Sequence, residues 1–112
     1  MLPEEKMRRI DDLLSHVWMV RTFVKHSEEA EEDDDLNEVH RKLYDFMLAL
    51  GTAWKQQDAD AYLKQARKKL RRLREATELF AEIQPEVSTH TNFQMARHSL
   101  EVAVNEIAEI LK

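Results

Sequence analysis

The chain has 112 residues, of which 35% are charged and 43% hydrophobic, with a formal net charge of −5, no cysteine, one glycine and two prolines. That length supports one core and one domain, residues 1–112. The missing cysteines exclude disulfides, thiolate metal sites and thiol nucleophiles, the scarcity of glycine and proline excludes a hairpin-rich β fold, and the acidic balance argues against a polyanion as the main partner.

The first helix is expected from Pro3, whose missing N–H costs nothing at a helix start, to about residue 29. Its buried stripe is Ile10, Leu13, Leu14, Val17, Val20 and Val24, while Met19 and Phe23 fall on another side and Trp18 on the margin. The acidic run from Glu28 to Asp35 then interrupts it, because carboxylates repel the end of one helix and suit the start of the next. Asp35 and Glu38 have the offset of a capping box. The second helix, about 36–55, carries Leu36, Val39, Leu43, Phe46, Met47, Leu50 and Trp54 at helical spacing, with Gly51 late in the pattern.

Asp58 suits the N-cap of a third helix, about 58–84, whose core face runs from Tyr62 and Leu63 to Phe80 and Ala81. Pro85 disfavours helical geometry at Gln84 and sets its end. Thr91 and Gln94 form a second capping-box pattern opening a fourth helix, about 91–111, with Phe93, Ala96, Leu100, Ala103, Val104 and Ile107 along its seam. Four amphipathic helices with short connections predict an all-α, antiparallel up-down-up-down four-helix bundle. The charged N-terminal segment MLPEEKMRRIDD lacks the apolar run of a signal peptide, and no stretch approaches the roughly 18 apolar residues of a membrane span, so a cytoplasmic protein with no membrane contact is expected.

Antiparallel topology gathers His26, His40, His90 and His98 at one pole beside the acidic run. Helical phase turns His26 and His98 to solvent, and no Glu-x-x-His occurs, so neither a metal nor a cofactor is expected. Arg21 falls on the buried stripe, where an unpaired guanidinium is expensive. Either its stem packs and the charge reaches an edge or a carboxylate, or it is presented, with His40, in a small polar pocket for an anionic ligand. No nucleophile or base is paired with His40, and the enzymatic reading is the weaker one.

The third helix carries Lys64, Arg67, Lys68, Lys69, Arg71, Arg72 and Arg74, a basic stripe able to track phosphates. These residues are spread around its non-core sides with no interleaved aromatic to stack bases, which favours a solvated face over RNA binding. Arg21 and His26 have the R-x4-H spacing that marks the helical HEPN ribonucleases, a likeness that would imply RNA cleavage. The segment Ala96 to Leu100 resembles the phospho-accepting helix of histidine phosphotransfer domains, although Glu101 and Val102 stand where Lys and Gly are usual. Each likeness covers fewer than ten residues, and neither is taken as family membership.

Apolar residues remain after the four seams are assigned: Trp18, Met19 and Phe23 on the first helix, Leu48 on the second, Met95 and Val102 on the fourth. The pairs Met19/Phe23 and Met95/Val102 lie on helices that neighbour each other in a closed bundle. The expected function is therefore a protein-interaction module that self-associates, as a symmetric dimer or with another protein partner, through helices one and four. RNA binding through the third helix is the alternative.

Overall fold

The structure, a computed structural model, describes residues 1–112 and is built from five helices: α1 (Pro3–Lys25), α2 (Glu28–Glu32), α3 (Asp34–Lys55), α4 (Ala59–Val87) and α5 (Thr91–Ile110). The four long helices form a bundle of 41 × 21 × 19 Å in which α1 packs between α3 and α5, and α4 closes the ring against the same two. Each neighbouring pair runs antiparallel. Arg9 near the start of α1 meets Glu106 near the end of α5, and Phe23 near the end of α1 meets Phe93 near the start of α5. Arg67 in the first half of α4 donates to the Leu111 carbonyl just past α5, and Trp54 late in α3 packs on Tyr62 early in α4. No helix is long and apolar enough to cross a membrane.

The core lies where the seams predict it. Ile10, Val17 and Val24 from α1, Leu36, Val39 and Leu43 from α3, Tyr62, Ala66, Leu73 and Phe80 from α4, and Leu100 and Ile107 from α5 are fully enclosed. With about 1.5–3 kcal/mol from each large aliphatic or aromatic side chain taken out of water, this burial outweighs the weak intrinsic preference of any one helix.

The helix ends depart from the expected ones, each for a local reason. α1 stops at Lys25 because Ser27 intervenes: its hydroxyl donates to the Val24 carbonyl at 2.7 Å and accepts from the Ala30 amide at 3.3 Å, closing one helix and opening another. The acidic run is thus not a turn but mostly the short helix α2, with Glu28, Glu29 and Glu31 at its electropositive start. Asp33, rather than Asp35, caps α3, its Oδ1 accepting from the Leu36 amide at 3.0 Å. At the α3–α4 turn the Gln57 amide bonds the Trp54 carbonyl and the Asp58 amide the Ala53 carbonyl, a Schellman closure that places Gln57 at φ 52° where glycine is usual.

Pro85 does not end its helix. It occupies an exposed position in the last turn, where the missing N–H forfeits a single bond, and burial of Ile83 and Gln84 holds the turn in register. Gln84 completes it: its carbonyl accepts from the Ser88 amide and its Nε2 donates to the Ser88 carbonyl. α5 is opened by His90, whose Nδ1 accepts from the Asn92 amide at 3.0 Å, in place of the Thr91 capping box. Gln94 reaches back to the Thr89 carbonyl instead.

Candidate functional site

Arg21 defines the most unusual arrangement in the molecule. Trp18 lies one turn before it on α1, and the antiparallel register brings Tyr44 of α3 to the same level. The guanidinium carbon sits 4.8 Å from the centroid of each ring, so the cation packs over two aromatic rings at once. No carboxylate accommodates the charge; the stem packs beside the two rings and the outer end of the guanidinium reaches solvent. The protein's five ion pairs use Arg9, Lys42, Arg71, Arg97 and Lys112, and none involves Arg21. Its Nε is shut off from solvent with no hydrogen-bond partner, as is the neighbouring Thr22 hydroxyl, whereas its terminal nitrogens keep solvent contact.

His40, also on α3, is buried beside this stack. Asn37 fixes its tautomer. The Asn37 Nδ2 donates to the Ala30 carbonyl at 2.6 Å and the Asp33 carbonyl at 3.2 Å, so its Oδ1, 3.0 Å away, must accept from the His40 Nε2–H. The same amide ties α2 to α3. Burial, followed by the positive charges of Arg41, Arg21, Lys25 and His26, holds the His40 pKa below the ordinary imidazole value. The principal surface grooves, of about 330 to 520 Å³, are lined by neither Arg21 nor His40, so the polar pair is not part of a sizeable pocket.

The residues assigned to the outward apolar surface separate into two environments. Met19, Met95 and Val102 are 67%, 58% and 51% exposed. The α1–α5 register set by Arg9–Glu106, His16–Ser99 and Phe23–Phe93 puts Met19 level with Met95 across the helix junction. Val102, two turns along, rims a groove of about 410 Å³ between the two helices that is also lined by His16, His98 and Ser99. Phe23 does not share this outward face: it is half-buried, edge-on to Phe93 with ring centroids 4.9 Å apart, and belongs to the core margin. Trp18 turns the other way, toward α3 and Arg21.

The basic stripe lies along α4. Arg71 pairs with Glu75, and Arg67 donates to the Leu111 carbonyl at the end of α5. Lys64, Lys68, Lys69, Arg72 and Arg74 meet no carboxylate within 4.0 Å. Lys69 and Arg72 line, with Lys42, Asp45, Leu48 and Glu75, the groove of about 520 Å³ between α3 and α4. Among the histidines of the acidic pole, His26 and His98 are exposed, His90 is an N-cap and His40 is buried. No three histidine, aspartate or glutamate side chains converge as metal ligands would.

Tyr44, Asn37 and Arg41 are the members of this region that sequence reasoning missed. The Trp18-x-x-Arg21 spacing was a usable signal for stacking, since residues three apart share a helix face. The tyrosine became visible only once the α1–α3 register was known. The fold defines a class and no more: an all-α bundle. Comparison with family models, characterised proteins and solved structures finds no match to this chain.

Proposed function

We propose that this protein is an interaction module that self-associates as a symmetric dimer through the outer face of α1 and α5. The reading rests on one observation: Met19 and Met95, level with one another across two adjacent antiparallel helices, are each more than half exposed, with Val102 two turns away at the rim of a groove. Unbranched methionines adapt to irregular partner surfaces, and contiguous apolar side chains of this kind mark contact sites where single ones do not. A two-fold axis over the patch sets each Met19/Met95 pair against its copy. The Arg9–Glu106 ion pair, in which Nε at 3.0 Å and Nη2 at 2.7 Å both donate to the Glu106 Oε1, supplies a polar rim that needs no partner charge.

Introducing a charge into the apolar patch tests this. Met19→Glu and Val102→Glu each place a carboxylate in the dimer seam while leaving the protomer core untouched. Each is expected to raise the dimer dissociation constant by at least about tenfold, equivalent to ~1.4 kcal/mol. Unchanged association in both variants would remove the reading.

A second reading is supported by the five α4 cations without a carboxylate partner: binding of RNA along that helix. It requires affinity that falls steeply with salt and that weakens when Arg72 and Arg74 are neutralised.

A further inference from the structure

The open surface between α1 and α3 around the stacked guanidinium carries more positive charge than its surroundings answer. Lys25 follows Arg21 by one turn on α1, His26 sits at the cap, and Arg41 adjoins His40 on α3; these four groups all act on His40 electrostatically. None of Arg21, Lys25 and Arg41 meets a carboxylate within 4.0 Å, although the chain is acidic overall and its densest acidic run begins three residues beyond Lys25. Asp33 is committed to capping α3, and no residue of that run forms an ion pair. The guanidinium carbon packs 4.8 Å from the centre of each of the two rings. Only its terminal edge is left to face outward, the edge that donates two parallel N–H bonds to an oxyanion.

We propose that this surface binds the phosphate group of a small phosphorylated molecule, gripped by the outer edge of Arg21 and flanked by Lys25 and Arg41. Three permanent cations suit a dianion with several acceptor oxygens better than a single carboxylate, which one guanidinium fork would satisfy. The rings also explain why the site is preformed: Arg21 is stacked in place before any ligand arrives, so less side-chain freedom is lost on binding than a free arginine would lose. The site lies on the α1–α3 side, away from Met19 and Met95, and stands or falls independently of dimerisation.

The test is titration of the whole protein with inorganic phosphate and with methyl phosphate, followed by NMR of the Arg21 Nε–H and His40 side-chain signals, with acetate at matched ionic strength as the carboxylate control. Saturable shifts are expected with half-saturation on the order of 1 mM for the phosphates, and about tenfold weaker or absent for acetate. Tighter binding of methyl phosphate than of the free ion identifies an ester as the ligand class; the reverse order identifies inorganic phosphate. Arg21→Gln is expected to abolish the response. Because that change also disturbs a packed stack, the exposed pair Lys25→Gln with Arg41→Gln is the companion variant, expected to fold normally and to weaken phosphate at least about fivefold. Linear shifts of equal size in phosphate and acetate, or a companion variant that binds phosphate as the parent does, would overturn the proposal.

Discussion

The packing of Arg21 over Trp18 and Tyr44 makes a quantitative prediction about folding. A guanidinium over one aromatic face contributes about 0.5–1 kcal/mol when exposed and about 2 kcal/mol when desolvated. Here Trp18 is 46% and Tyr44 38% exposed while Arg21 is half-buried, which places each face near ~1 kcal/mol and the whole stack near ~2 kcal/mol. Single substitutions cannot isolate that figure. Arg21→Met removes the stack but also relieves a buried Nε–H that has no partner, a relief of about 1–3 kcal/mol in the opposite direction. A double-mutant cycle of Arg21→Met with Tyr44→Leu cancels the shared cost. Urea unfolding followed by far-UV circular dichroism should give a coupling energy of ~1 kcal/mol, about a fivefold change in the folding equilibrium. A coupling indistinguishable from zero, below ~0.3 kcal/mol, would refute the claim that the rings hold the cation.

Other predictions follow from single positions. A Cβ at Gly51 meets nothing within 4 Å, so Gly51→Ala should stabilise α3 by about 0.5–1 kcal/mol in the same urea assay. Gln57 at φ 52° invites the opposite change, and Gln57→Gly should raise the melting temperature. The Tyr62 hydroxyl is fully buried without a hydrogen-bond partner, and burial, with Asp11 nearby, pushes its pKa far above the ordinary phenol value; Tyr62→Phe should therefore be neutral or stabilising by up to about 1 kcal/mol. The folded-state pKa of His40 is depressed, so the stability it contributes is complete above the unfolded value of about 6.5 and is lost as pH falls through the folded one. Denaturation midpoints should decline on acidification below that point, and His40→Gln should flatten the decline.

Much of the fold could be read from spacing alone, because twenty-residue apolar stripes are set by helical period and leave few alternatives. The ends were harder. Ser27, one hydroxyl bonded to two backbone groups, divides α1 from α2, and a seven-carboxylate run gives no hint of it. Pro85 disfavours a helix in general, yet at an exposed final turn with Gln84 buried beneath it the loss is one bond. The site was half legible. Arg21 stood out as a charge on an apolar stripe, but its solution required Tyr44 from another helix, and side-chain meetings across elements depend on a register that periodicity does not fix. Phe23 erred for the same reason: its helical phase pointed away from the core centre, yet it packs against the core margin, edge-on to Phe93 from α5.

The most direct test of self-association is the mass of the protein in solution, measured by sedimentation equilibrium over a range of micromolar concentrations. The account predicts a species of twice the 13.3 kDa protomer that reverts to one protomer when Met19→Glu and Val102→Glu are combined. A parent protein that stays at 13.3 kDa across that range would contradict it.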